Sequence, residues 1–183
     1  MDAKDSGKSQ SATSSAAQKH TAQLPGAQEG NERMRQEVDR SQRYNHPLSV
    51  ALLDLDPLPA AMVPRGVLDD NGIMGHFVRR VKAVQRDCDT LCFWGLTTLL
   101  WILPETELDA GVLACERLRR ALAGAAPGNT PPLTISIGIA ELEPGEDGDH
   151  LVKRATDALL ISQARGRNCV TRADVLPRPD SAA

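Results

Sequence analysis

Apolar residues in this chain fall into short runs and helical stripes that alternate along its length. Leu48 to Asp56, LSVALLDLD, is nearly continuous in apolar side chains, the pattern of a strand covered on both faces. Asp89 to Pro104, DTLCFWGLTTLLWILP, reads as two apolar strands, Thr90 to Trp94 and Thr98 to Leu103, joined by a tight turn that begins at Gly95. LTISIGIA alternates, with Leu133, Ile135, Ile137 and Ile139 on one face and Thr134, Ser136 and Gly138 on the other. Helical spacing appears four times. Met34 and Val38 form a thin stripe in Asn31 to Tyr44, and Met74, Phe77, Val78, Val81 and Val84 line one face from Ile73 onward. Leu108, Val112, Cys115, Leu118 and Leu122 form a third stripe, preceded by Thr106 and Asp109 at capping-box spacing. Leu151, Ala155, Ala158, Leu159 and Ser162 form the fourth, ended by Gly166, and Asn168 to Thr171 adds a short edge strand.

The order helix, strand, helix, hairpin, helix, strand, helix, short strand predicts an α+β fold. A mixed, mainly antiparallel sheet flanked by helices, in a ferredoxin-like or palm-like arrangement, follows most simply. Up to about residue 28 the chain is rich in Ser, Ala, Gln, Lys and Gly and nearly devoid of large apolar side chains. It cannot bury enough surface to offset its ordering entropy. Residues 1–30 are therefore read as a disordered tail, 31–173 as one domain and 174–183 as a flexible C-terminal tail. Pro57, Pro59 and Pro64 interrupt the segment after the first strand, and Ala123 to Pro132 is a Gly/Pro/Ala loop.

Composition narrows the class. A chain of 183 residues with net charge −3 has no global pull toward nucleic acid or membrane. Basic residues cluster only locally, from Arg79 to Arg86 and at Arg117, Arg119 and Arg120. Cys88, Cys92, Cys115 and Cys169 contain no Cys-x-x-Cys pair, and four scattered histidines suggest neither a zinc site nor a disulfide framework. No apolar run is long enough to span a membrane, and a reducing, cytoplasmic location is expected. At the end of the first strand, Asp54 and Asp56 sit where paired carboxylates either hold Mg²⁺ for a phosphate substrate or cap the loop that follows.

Four segments together carry a family resemblance: RYNHPLSVALLDLD at 43–56, WILPETELDAGVLACERLRRAL at 101–122, LTISIGIAELEPGED at 133–147, and ATDALL with GRNCV between 155 and 170. From about Met34 to Val170 the sequence resembles a GGDEF domain, the palm-like nucleotide-cyclase fold of diguanylate cyclases. The resemblance implies a bacterial second-messenger role, in which active members join two GTP molecules into cyclic di-GMP across a dimer. Metal ions would be held by the first Asp of the strand-end pair, matched by Asp54, and by acids of the signature turn.

That turn reads Gly95-Leu96-Thr97-Thr98-Leu99 where the family has Gly-Gly-Asp/Glu-Glu-Phe. Two neutral hydroxyls replace two carboxylates, which removes the charge that binds Mg²⁺ and assists deprotonation of the attacking hydroxyl. Leu96 puts a branched side chain where the family backbone approaches the triphosphate. The guanine-reading Asn and Asp fall on Met62 and Asn71, and the phosphate-binding Lys falls on Gln163, whereas its Arg persists as a vestigial phosphate ligand, Arg167. The Asp-x-Leu-Thr-Gly-Leu opening motif is absent. No catalytic residue is therefore expected, and Asp54 is a vestigial metal ligand.

A second family site, an Arg-x-x-Asp motif that binds the product cyclic di-GMP, persists as Arg86 and Asp89, with Arg117 matching a further arginine. Arginines there would grip phosphates and stack on guanine, and the carboxylate would accept from the guanine edge. The alternative for this pair is a surface contact at a helix end. The expectation is a degenerate GGDEF domain that binds cyclic di-GMP, requires no cofactor, and signals to a protein partner, with homodimerisation open. Mg²⁺ would be needed only for residual cyclase activity. An active cyclase and a ligand-free interaction scaffold are the alternatives.

Overall fold

A computed structural model describes residues 24–58, 72–124 and 133–176. Its elements in chain order are α1 (Ala27–Tyr44), β1 (Leu48–Leu55), α2 (Ile73–Lys82), β2 (Thr90–Phe93), β3 (Thr98–Pro104), α3 (Leu108–Ala123), β4 (Ile135–Glu141), α4 (Gly148–Ala164) and β5 (Val170–Arg172), closed by a 3-10 turn at Ala173–Val175. The sheet runs β2-β3-β1-β4-β5. β1 is central and antiparallel to both β3 and β4, in register from Leu48 opposite Pro104 to Asp54 opposite Thr98. β2 pairs antiparallel with β3, and β5 joins β4 in parallel. The fold is α+β with a mixed, mainly antiparallel sheet, as the pattern of runs predicts.

Helices cover both sheet faces, which explains why β1 and β3 read as continuous apolar runs. Ala51, Leu53 and Leu55 of β1 and Leu99, Trp101 and Leu103 of β3 face α2 and α3. Leu48, Val50, Leu52, Leu100 and Ile102 face α1 and α4 on the other side. Each buried Leu, Ile or Val among them contributes about 1.5–3 kcal/mol, so a slip of one residue in β1 would exchange two complete cores. At Gly138 of β4, a Cβ would overlap the backbone of Ala155 and Leu159 in α4. Only glycine permits this approach, and it brings α4 down onto the strand so that its last turn reaches the end of β1.

Several expectations change in detail. The first helix begins at Ala27, not Asn31, because Gly30 nests against Cys92 of β2 and extends the buried stripe to Gly30, Met34, Val38 and Ser41. The chain entering α1 also covers the sheet edge, where Phe93 N–H donates to the Pro25 carbonyl at 2.8 Å. Thr106 does not form the expected capping box. Its hydroxyl donates to the Pro104 carbonyl at 2.8 Å, and the Glu141 carboxylate accepts from the Leu108 N–H at 2.7 Å instead. Gly111, packed on Ile139, takes the buried place expected of Val112. The 3-10 turn Ala173–Val175 carries regular structure two residues past 173. Most of the expected N-terminal tail (1–23), Met62, Asn71 and the last residues (177–183) lie outside the described residues. Among those described, no helix is long and apolar enough to cross a membrane.

Candidate functional site

The antiparallel register of β1, β3 and β4 brings Asp54, Thr98 and Ser136 side by side at one end of the sheet. Asp54 is half-buried there, and its carboxylate is held by three neutral donors. Thr97 Oγ1 and Thr98 Oγ1 donate to Oδ1 at 2.9 and 2.8 Å, and Gln163 Nε2 of α4 donates to Oδ2 at 2.8 Å. Bonds to an ionised acceptor are stronger than neutral ones, so the three together fix the turn and the helix end around the carboxylate. The backbone reinforces this arrangement, since Leu55 N–H donates to the Thr97 carbonyl at 3.1 Å and Trp94 N–H to the Thr98 carbonyl at 3.0 Å. Gly95 and Leu96 form the exposed tip, with Leu96 72% exposed.

This donor set does not fit a magnesium ion. Mg²⁺ requires anionic or carbonyl oxygens directed at it. Here Thr97, Thr98 and Gln163 direct hydrogens at the one carboxylate they share. Among the described residues, no three His, Cys, Asp or Glu side chains gather as a metal site. Sequence reasoning identified Thr97, Thr98 and Gln163 only as missing acids and a missing lysine.

Asp56 turns away from Asp54, and its partners lie in β4 and the loop after α4, not in the segment that follows β1. It is 5% exposed, accepts from Ser136 Oγ at 2.6 Å and from Asn168 N–H at 3.0 Å, and so holds the loop after α4. Gly166, Arg167 and Asn168 have φ of 110°, 65° and 47°, a left-handed run that costs energy at the two non-glycine positions. Arg119 of α3 braces the loop through Asn168 Oδ1 at 3.1 Å. The loop leaves Arg167 exposed, close in sequence to Gln163, with no side-chain partner among the described residues.

Arg86 and Asp89 lie at the opposite end of the sheet, just before β2. They are brought together, but their roles differ. Asp89 is turned inward with its side chain 1% exposed, whereas that of Arg86 is 54% exposed. Asp89 Oδ2 accepts from the Arg86 backbone N–H at 2.9 Å and from the Trp101 indole N–H at 3.1 Å. Its Oδ1 lies 3.7 Å from Arg86 Nε. Arg86 Nη2 donates to Thr106 Oγ1 at 2.6 Å, and the side chain as a whole stays about half exposed. The carboxylate expected to meet a guanine edge is thus engaged within the fold, because the buried indole needs an acceptor. Trp101 is a contributor that the apolar pattern of β3 concealed, and Thr106 is one that its capping-box spacing assigned elsewhere. Arg117 is exposed on α3, which packs beside α2 on the Trp101 face, and it makes no hydrogen bond or ion pair among the described residues.

An open cleft lined by His46, Glu107, Glu141, Arg154 and Arg172 also lies toward this end. Its arginines are already paired, Arg154 with Glu146 at 2.5 Å and Arg172 with Asp109 at 2.6 Å. Burial acts against the Arg154 charge, but Glu146 and Glu143 more than offset it and hold the guanidinium above its usual range.

Comparison with known proteins identifies the lineage of this arrangement. Diguanylate cyclase DgcP of Pseudomonas aeruginosa is 32% identical over 149 residues, 79% of this chain and 22% of DgcP. The chain spans less than a third of the length of the curated relatives DgcP, DgcM and PleD. Diguanylate cyclase SiaD of Pseudomonas aeruginosa, solved with its activator SiaC, superposes with a TM-score of 0.72 at 29% identity, covering 81% of this chain and 58% of that one. The GGDEF domain of DgcB from Caulobacter crescentus, solved in complex with c-di-GMP, superposes with a TM-score of 0.70 at 21% identity, covering 82% and 89%. The family profile "Diguanylate cyclase, GGDEF domain" matches residues 19–169, and the chain therefore belongs to the GGDEF family.

Proposed function

We propose that this GGDEF domain is a receptor for cyclic di-GMP without cyclase activity, acting through a protein partner. The observation that carries the reading is the occupation of Asp54 by Thr97, Thr98 and Gln163. An active site for two-metal phosphoryl transfer needs carboxylates there to bind ions and assist loss of the 3′-hydroxyl proton. Here one carboxylate remains, and hydrogen-bond donors surround it. Removing such groups costs several kcal/mol of transition-state stabilisation, or many orders of magnitude in rate.

Ligand binding rests on the other end of the sheet. Arg86 presents an accessible guanidinium, Arg117 is exposed on α3, and Asp89 belongs to the site as the fixed end of the Arg86 loop. Guanidinium groups suit phosphodiesters through bidentate bonds and suit purines through stacking. The complex of DgcB with c-di-GMP and that of SiaD with SiaC are precedents within the fold for such a ligand and for a protein partner.

Calorimetric titration of the chain with cyclic di-GMP tests the reading. Saturable binding at micromolar ligand, lost in Arg86→Ala, is expected; no binding, or equal binding by the variant, overturns it. Incubation with GTP and Mg²⁺ followed by nucleotide chromatography tests the other half. Cyclic di-GMP formation that disappears in Asp54→Ala would establish an active cyclase instead.

A further inference from the structure

We propose that the acid-lined cleft between the C-terminal end of α1 and the N-terminal end of α3 docks an arginine- or lysine-rich segment of the protein partner. This rests on the reading above only in supposing a partner, and it says where that partner is held and by what chemistry.

The cleft has a volume of about 850 Å³, so it takes a few side chains and not a whole partner face. Five carboxylates line it, those of Glu107, Asp109, Glu141, Glu143 and Asp174, against the guanidiniums of Arg154 and Arg172. That excess of acid equals the net charge of the entire chain, −3, so acids and bases balance over the rest of the sequence. Neither guanidinium is available to attract an anion. Arg172 is held by Asp109 at 2.6 Å and Asp174 at 2.8 Å, and Arg154 by Glu143 at 3.3 Å and Glu146 at 2.5 Å. Glu107 and Glu141 have no cation beside them among the described residues. Glu107 is exposed with its side chain unpartnered there, and Glu141 Oε2 accepts from the N–H of the next residue, Leu108, at 2.7 Å, which sets the two acids on one wall. In a concavity with protein walls the field of such carboxylates is focused, not dissipated in water. Between the acids, Pro47, Leu142 and Pro144 supply apolar surface. A metal ion would make no use of it, and among the described residues no three His, Cys, Asp or Glu side chains gather to ligate one. Arginine and lysine use both features, laying the methylene stem on apolar surface while the cationic head meets a carboxylate. The position suits a signalling contact, since Thr106 N–H donates to the Pro47 carbonyl at 3.2 Å, Thr106 directly precedes Glu107, and its hydroxyl accepts from Arg86.

The test titrates the full chain, without cyclic di-GMP, with a fluorescein-labelled hexapeptide of alternating arginine and glycine and, separately, one of alternating glutamate and glycine. Fluorescence anisotropy is read at about 50 mM salt, where surface charge is only partly screened. Saturable binding of the arginine peptide and none of the glutamate peptide is expected. Glu107→Lys is expected to weaken binding roughly tenfold and Glu107→Gln by a smaller factor. Glu32→Lys, the same change of charge at an exposed position of α1 outside the cleft, is expected to weaken it less than about twofold. Equal losses in Glu107→Lys and Glu32→Lys would overturn the proposal, because net charge alone would then account for binding. Absence of saturable binding by the wild type, or binding of both peptides alike, would overturn it too. Spermidine serves as competitor: displacement of the peptide at lower concentration than the unlabelled arginine peptide needs would assign the cleft to a free polyamine and overturn the protein partner. Should Glu107→Lys fail to fold, Glu107→Gln against Glu32→Gln decides. Failure in any of these leaves the cyclic di-GMP reading standing, whereas peptide binding in a chain that binds no cyclic di-GMP removes the receptor reading and leaves this docking site in place.

Discussion

Gln163 Nε2 donates to Asp54 Oδ2 across 2.8 Å, joining the last turn of α4 to the end of the central strand. With Thr97 and Thr98 on Oδ1, a single carboxylate connects three elements spread over 109 residues of sequence. The contact is partly exposed, so it is worth less than a buried ion site but more than a surface pair. Asp54→Ala is expected to lower unfolding free energy by about 1–3 kcal/mol in urea titration. Unchanged stability would mean that water serves the three donors equally well.

Metal affinity should follow the acids. Millimolar Mg²⁺ or Mn²⁺ should leave the wild-type melting temperature unchanged. The variant combining Leu96→Gly, Thr97→Asp, Thr98→Glu and Gln163→Lys restores carboxylates and the lysine, and its melting temperature should rise with either ion. A metal-dependent rise in the wild type would contradict the account of Asp54.

Gly138 carries the approach of α4 to the sheet. Gly138→Ala would drive a methyl group into the backbone of Ala155 and Leu159, where no side-chain rotation relieves the overlap. A loss of about 3 kcal/mol or more in denaturant unfolding is expected, together with displacement of Gln163 from Asp54. A loss under about 1 kcal/mol would show that the helix shifts freely.

His76 makes stability depend on pH. Burial first, then Arg80 and Arg79, lower its affinity for protons below the ordinary value of 6.5. The folded state therefore binds fewer protons than the unfolded state in mildly acidic solution. Its contribution is complete above about 6.5 and erodes as pH falls from there toward the depressed folded value. Unfolding free energy should fall on acidification through this window, and His76→Gln should flatten the slope. An unaltered slope in the variant would assign the dependence elsewhere.

The cysteines should separate by reactivity. Burial, then Glu29, raises the Cys92 thiol to about 11, and burial, then Glu116, raises Cys115 to about 12, whereas Cys88 is exposed. Alkylation of native protein at neutral pH should mark Cys88 first and reach Cys92 and Cys115 only on unfolding, read by peptide mass mapping. Labelling of Cys115 at the rate of Cys88 would indicate that the core opens readily.

Local pattern in the sequence was sufficient for the elements and their layering. A period of two in β4, continuous apolar runs in β1 and β3, and helical stripes between them leave few ways to bury every face. Boundaries were less legible where a contact from elsewhere decided them, as when Cys92 receives Gly30 and lengthens α1, or Glu141 caps α3 in place of Thr106. At the candidate sites the sequence determined which groups were present: Asp54 without neighbouring acids in the turn, and Arg86 with Asp89. Only tertiary structure decided where those groups point. Asp54 is enclosed because strand register and the α4 approach converge on it, and Asp89 faces inward because a tryptophan twelve residues further on, buried in β3, requires an acceptor. A side chain's direction depends on partners distant in sequence, and local periodicity carries no record of them.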